Sequence, residues 1–300
     1  MKTRFAMKAL TLTLVASFLF FTACKDEETI SYSSGDNADL QSEASMDAQL
    51  EDVSDLAGVA VSSDAGTLTG SRTSASSRVI TPAGDTRFEC ATVTLEFADD
   101  NLPPSVIHGY IHIDFGTGCT GPNGRTRKGM IHVEFTGARF TPGSTVTITT
   151  ENYYVDGIKV DATRTELNAT GSTQNAPKFT INEEVTITFL DGTTATRTAT
   201  RTRTWNRMAN PLEDTWTVTG SAFGTTRRAV EYVMNITKPL VFKRSCAISS
   251  KMVVPVEGTK ELIAGTKKIT TDFGNGDCDT SITITVNGRS KDIQISASGD

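Results

Sequence analysis

An all-β fold is predicted for this chain from Val79 onward: an elongated antiparallel meander or sandwich of hairpins, in two related modules. Three observations predict it. Thr, Val and Ile dominate the segment and alternate with polar residues at the period of a strand. Tight-turn signals punctuate it at Val155-Asp156-Gly157-Ile158, Leu190-Asp191-Gly192-Thr193 and Val286-Asn287-Gly288-Arg289. Asp-Gly and Asn-Gly fill two-residue hairpin turns because both central positions need positive φ. No amphipathic run of helical length follows residue 80, so the strands are joined as hairpins and not as βαβ units.

The Asp191-Gly192 turn sets the expected faces. With Leu190 opposite Thr193, Glu184 falls opposite Ala199 and diagonal to Arg197 and Arg201. Val185, Ile187 and Phe189 then share the other face with Thr194, Thr196 and Thr198. One side is therefore expected to be apolar and packed, the other charged and exposed. On the exposed side, Arg197, Arg201, Arg203 and Trp205 share parity, with Trp216 on a neighbouring strand. Trp beside Arg on an open sheet face suits a glycan or an anionic polymer. Cross-strand Glu–Arg pairing and edge protection explain the same pattern and are preferred.

An internal duplication divides the β region. Cys90-Ala91-Thr92-Val93 leads to Asp114-Phe115-Gly116-Thr117-Gly118-Cys119, and Cys246-Ala247-Ile248-Ser249 leads to Asp272-Phe273-Gly274-Asn275-Gly276-Asp277-Cys278. Each second cysteine sits in a Gly-rich turn and is followed by a strand, over 129–135 and 280–286. Two modules are expected, over 79–173 and 174–300, as separate domains or as halves of one sheet system. Four cysteines allow three pairings, of which the repeat favours Cys90–Cys119 and Cys246–Cys278. Each closes a loop of about thirty residues, worth roughly 3–4 kcal/mol in the chain-entropy account.

The N-terminus sets the compartment in which those cysteines oxidise. Lys2, Arg4 and Lys8 precede an uncharged, mostly apolar stretch from Ala9 to Ala23, then Cys24 and Lys25-Asp26-Glu27-Glu28. A basic start, a short apolar run and a small residue before the cut describe a signal peptide over 1–23, too short for a transmembrane helix. Phe21-Thr22-Ala23-Cys24 resembles a lipobox, which implies acylation of Cys24. The following Lys-Asp-Glu-Glu resembles the surface-export signal of Bacteroidota lipoproteins. That resemblance covers five residues. It implies lipid anchorage at the outer membrane, facing the medium, in an oxidising context where disulfides persist, and no activity. The chain as a whole is similar to all-β lipoproteins of that phylum.

Charge separates the tether from the body. Loss of the signal takes the formal charge from −6 to −9. Residues 25–64 carry eleven acidic residues and Lys25 alone as a cation, leaving the rest near neutral. No basic field suited to nucleic acid exists. Residues 24–78, rich in Ser, Asp, Ala and Gly, are expected to be a lipid-anchored, flexible acidic tether. Leu40, Ala44, Met46, Leu50, Val53 and Leu56 fall loosely on one helical stripe, so a short helix over about 38–57 is an option within it. Such a helix would dock, but a solvated spacer is the preferred expectation.

The sequence contains no GxSxG, Walker A, HExxH or EF-hand pattern, and no catalytic residues are assigned. Its three histidines lie close together. His108, Tyr110, His112 and Asp114 alternate with Ile107, Ile111, Ile113 and Phe115; His132 and Glu134 alternate with Ile131, Val133 and Phe135. If these strands pair, His108, His112 and His132 share a face with two carboxylates, the donor types of a zinc-like site. An exposed polar face is the plainer expectation. The glycine-rich stretch Gly116–Gly129 with Arg125, Arg127 and Lys128 offers an anion nest or a solvated loop. Asp272, Asn275, Asp277 and Asp279 offer oxygens to calcium at a spacing that matches no known loop.

The expected function is a noncatalytic surface lipoprotein serving in binding, adhesion or envelope structure, with no cofactor. Its expected partners are the membrane, through the N-terminal lipid, and a glycan or protein at the cell surface. The alternatives are a glycan-binding lipoprotein and a metal-dependent hydrolase using the three histidines.

Overall fold

The structure, a computed structural model, describes residues 33–63, 77–82, 85–98, 106–122, 124–169, 171–173, 175–246 and 253–295. One helix, α1 (Ser34–Ser63), precedes fifteen strands. These are β1 (Arg78–Ile80), β2 (Thr92–Phe97), β3 (His108–Asp114), β4 (Cys119–Thr120) and β5 (Thr126–Thr136). Then come β6 (Thr145–Val155), β7 (Ile158–Asn168), β8 (Lys178–Thr188), β9 (Thr194–Asn206) and β10 (Thr215–Thr225). Last are β11 (Glu231–Lys243), β12 (Glu257–Ala264), β13 (Lys267–Asn275), β14 (Ser281–Val286) and β15 (Arg289–Gln294). All belong to one antiparallel sheet in chain order, except that β4 pairs with β5 beside the main path. The architecture is the predicted all-β meander, as a single open sheet and not a sandwich.

The turns follow from their residues. Val155 pairs with Ile158 around Asp156 and Gly157, whose φ values are 51° and 86°. Val286 pairs with Arg289 around Asn287 and Gly288, at 49° and 80°. Both are the expected two-residue turns. The duplication is also physical. Cys90 pairs with Cys119 and Cys246 with Cys278, with Cα atoms 5.7 and 5.0 Å apart. The first bond clips the open base of the β2–β3 hairpin, and the second ties the chain just after β11 to the turn just after β13. In both copies the Asp side chain accepts the amide of the Gly two residues on (Gly116 to Asp114, 2.7 Å; Gly274 to Asp272, 2.9 Å), and Phe115 and Phe273 are buried. The expected modules are nonetheless not separate domains: β7 pairs with β8 along its whole length across the 173/174 boundary.

The inner face of the sheet encloses α1. Leu40, Met46, Leu50, Val53, Leu56, Ala57, Ala60 and Val61 are buried, and so are Asp39, Ser42, Glu43, Ser45 and Gln49. Most of the helix surface is buried, leaving one half-buried stripe through Gln41, Ala44, Ala48, Asp52 and Val59 with Asp55 exposed on it. Its ionic partners in the sheet come from β5, β7, β9, β12 and the β10–β11 turn. Fully burying each large apolar side chain contributes about 1.5–3 kcal/mol, so the apolar residues supply most of the helix's hold on the sheet.

The acidic residues of α1 meet cations that point inward. Asp39 pairs with Arg228 at the β10–β11 turn (Nε to Oδ1, 3.0 Å). Glu43 contacts Lys260 of β12, and Arg197 of β9 at 3.5 Å. Asp47 takes Arg197 at 2.7 Å, Arg201 at 2.8 Å and Lys260 at 3.0 Å. Glu51 contacts Arg203, and Arg164 of β7 at 3.4 Å. Asp52 holds Arg127 of β5 at 2.9 Å, and Asp55 holds Arg87 at 2.6 Å. The sheet adds its own acid: Glu183 of β8 lies 2.9 Å from both Arg164 and Arg197.

Two expectations are corrected here. Residues 34–63 are not a solvated spacer but a helix longer than the 38–57 option, with its charges neutralised by the sheet. The signal sequence expected over 1–23, Cys24 and the rest of the tether lie outside the described residues. The second correction is the register at Asp191-Gly192. Phe189, not Leu190, pairs with Thr193: the Phe189 amide donates to the Thr193 carbonyl at 2.9 Å. Leu190-Asp191-Gly192 is thus a three-residue loop with only Gly192 at positive φ, 80°. Val185 consequently faces Arg197 and Glu183 faces Ala199. A one-residue slip turns every side chain to the opposite face, which moves the arginines of β9 from the outside to the inside.

Burial opposes ionisation of Glu166, but Arg164, Arg203 and Arg139 outweigh it and hold its carboxyl at about 2. Asp47 and Glu183 are held low in the same way by Arg201, Arg197 and their neighbours against burial. Glu43 is shifted the other way, by burial and then by Asp47. A carboxyl with a depressed folded pKa adds stability above its unfolded pKa, and that stability is lost as pH falls through the folded value. The urea midpoint is therefore expected to drop as pH falls from about 4.5 towards about 2; a midpoint constant over that window would contradict the network. Glu183→Ala removes a buried carboxylate shared by Arg164, Arg197 and Arg201 and leaves excess positive charge in the interior, which is expected to cost about 3–5 kcal/mol. Glu184→Ala, on the outer face, is expected to stay within about 0.5 kcal/mol. Urea unfolding of both variants checks the register, because the slipped pairing reverses their order.

Candidate functional site

Strands β3 and β5 bring all three histidines to the outer face, as their alternation requires. Ile111, Ile113, Ile131, Val133 and Phe135 point inward and are buried, so residues of the opposite parity point out. The register places His112 directly opposite His132, Tyr110 opposite Glu134 and His108 opposite Thr136. From β6, Thr149 stands opposite His132, and Glu151 opposite Met130, one step along.

The site is a row of three contacts in two separate groups. His108 Nε2 lies 3.0 Å from Glu134 Oε1. His112 Nδ1 lies 2.8 Å from His132 Nδ1, with the rings nearly perpendicular at 79°. His132 Nε2 lies 2.9 Å from Glu151 Oε2. A carboxylate only accepts, so His132 donates from Nε2 and its Nδ1 carries the lone pair. His112 therefore donates from Nδ1 in the neutral pair. Partial burial, then the neighbouring His132, lowers the pKa of His112, against the opposing pull of Glu96.

The three-histidine centre expected from sequence is corrected by this geometry. His108 and His112 are four residues apart on one strand, roughly 13 Å at 3.3 Å per residue. Among the described residues no group of three or more His, Cys, Asp or Glu side chains gathers closely enough to hold a metal ion. The same finding bears on the calcium expectation. Asp272, Asn275, Asp277 and Asp279 do line a common cleft of about 460 Å³ with Thr283 and Asp292. Three of its carboxylates are engaged locally: Asp272 accepts the Gly274 amide at 2.9 Å, Asp279 the Ser281 amide at 3.0 Å and Asp292 the Thr283 hydroxyl at 2.6 Å.

The Arg–Trp face is also corrected. Arg197, Arg201 and Arg203 are buried against α1, at 1%, 5% and 5% exposure. Trp205 and Trp216 stack on each other at 5.5 Å, and Trp216 on Phe242 at 5.4 Å. Trp216 is buried and Trp205 packs against the core. Neither the guanidinium groups nor the Trp216 ring is presented to a glycan. The cations of the Gly116–Gly129 loop are likewise used within the chain. Arg125 reaches Gln49 and Asp156 (3.1 and 3.2 Å), Arg127 reaches Asp52, and Lys128 lies 3.9 Å over the Tyr154 ring.

The sequence carried one signal for the interior that alternation along strands does not display. Asp39, Glu43, Asp47, Glu51 and Asp55 recur at every fourth residue. Like charges at that spacing destabilise an isolated helix, so the repeat requires cations from another element. No family model, no curated protein and no solved structure matches the chain.

Burial of the tryptophan stack has a direct optical consequence. Iodide is expected to quench native tryptophan emission several-fold less than emission in urea; equal quenching in both states would contradict the inward stack.

Proposed function

We propose that this chain is a noncatalytic envelope protein, exported, acylated on Cys24 at the outer membrane and displayed at the cell surface, where its β body binds or braces through its outer face. The observation that carries the proposal is the occupied interior. The inner face of the sheet is taken up by α1 and its counter-charges, so the face available to a partner is the outer one. That face is rich in threonine, with Thr194, Thr196, Thr198, Thr200, Thr202 and Thr204 of β9 all on it. Such a face suits contact with a protein or glycan at the cell surface, away from the buried arginines. Two supports come from chemistry: both cysteine pairs suit an oxidising compartment, and the lipobox-like Phe21-Thr22-Ala23-Cys24 supplies the anchor. Several acyl chains on one cysteine anchor stably where a single chain is marginal.

Metabolic labelling with radioactive palmitate tests the anchor. The wild-type chain is expected to incorporate label and sediment with membranes, and Cys24→Ala to lose both. Protease added to intact cells is expected to digest the body. An intact Met1 on the purified native protein would overturn the proposal, and protection from protease until the outer membrane is breached would overturn surface display.

A further inference from the structure

The outer face holds one pair of side chains whose geometry exceeds what an exposed polar surface requires. His112 and His132 are directly opposed across β3 and β5, and their two Nδ1 atoms lie 2.8 Å apart. An ion about 2.0 Å from each nitrogen and 2.8 Å between them subtends roughly 90°, the cis angle of square-planar or tetragonal coordination. His132 already has the tautomer a ligand needs, and a turn of each ring brings the two lone pairs onto a common ion. The His132 Nε2–H is held by Glu151 at 2.9 Å, which leaves the Nδ1 lone pair facing His112. A carboxylate on the far nitrogen of a ligating imidazole is the usual orienting partner of such sites.

We propose that His112 and His132 form a two-imidazole chelate for a borderline divalent transition metal, copper(II) in preference to nickel(II) or zinc(II), with Glu151 as the positioning residue. The preference follows from the angle and from the general affinity order for nitrogen ligands. Binding replaces the His112–His132 hydrogen bond. The proton on His112 Nδ1 moves through solvent to its own Nε2, for which no protein partner is found among the described residues. The pair thus stays neutral, and water fills the remaining positions. His108 takes no part, since it is turned to Glu134 at the far end of the row.

The test uses the full chain titrated with copper(II) in a non-coordinating buffer, followed by calorimetry and electron paramagnetic resonance. One ion per chain is expected, with hyperfine splitting from two equivalent nitrogens. His112→Asn and His132→Asn are each expected to weaken binding at least about tenfold and to remove the two-nitrogen pattern. Glu151→Gln is expected to weaken it about tenfold while keeping that pattern. His108→Asn is expected to leave both within about twofold. Circular dichroism matching wild type shows that each variant is folded, as its place on the outer face implies. The proposal is overturned if His108→Asn weakens binding as much as His112→Asn. It is also overturned if binding survives the double variant with an oxygen-only spectrum, which would place the ion in the cleft around Asp272. The test is independent of Cys24 acylation, so the two proposals stand or fall separately.

Discussion

Opposite charges meet largely away from water: the acids of α1, Glu43 and Glu51 most deeply, against the arginines and lysine on the inner face of the sheet. Each set is untenable without the other. Removing a charge from water costs several kcal/mol, and the cost is recovered only when a partner and hydrogen bonds replace the solvent. The helix repeats acids every fourth residue along its own axis. Strand β9 repeats basic groups at 197, 201 and 203, with Ala195 and Ala199 leaving space beside them. The sheet curves around the helix because its cations come from β5, β7, β9, β12 and the β10–β11 turn.

Apolar burial and charge pairing have different parts in this arrangement. Leu50, Leu56, Ile131 and their neighbours contribute energy without direction. The ion pairs fix which residue of α1 lies beside which strand, because a helix moved by one residue would bury acids against leucine and valine. Asp47, shared by three cations, and Glu183, shared by three arginines, tie the elements into one network. Interior order in turn makes the outer face definite. Once Ile111, Ile113, Ile131 and Val133 are fixed inside, His112 and His132 can only face each other outside. The two disulfides lie towards the two ends of the sheet: one closes β2–β3 beside the edge strand β1, and the other ties the ends of β11 and β13, two strands in from the edge strand β15.

Features that depend on local chemistry were legible in the sequence. The all-β class, the turns at Asp156-Gly157 and Asn287-Gly288, both cysteine pairs and the shared face of the three histidines each follow from a few adjacent residues. The hairpin at Leu190-Asp191-Gly192 was not legible, because Asp-Gly serves equally as the last two residues of a three-residue loop. That single residue decides whether Arg197, Arg201 and Arg203 meet solvent or α1. The helix was hidden for another reason. Composition weighs charges as if each stayed in water, and Asp39 to Asp55 find their partners 32 to 217 residues away in sequence. The metal expectation failed by distance: parity shows which residues share a face, not how far apart they stand along it.

Native-state hydrogen exchange over residues 34–63 tests the central claim most directly. If α1 is enclosed by the sheet and held by its cations, its central amides exchange only on global unfolding, with the same protection as those of β8 and β9. Exchange of those amides at the rate of an unstructured peptide, while β8 and β9 remain protected, would contradict the enclosed helix and the buried charge network together.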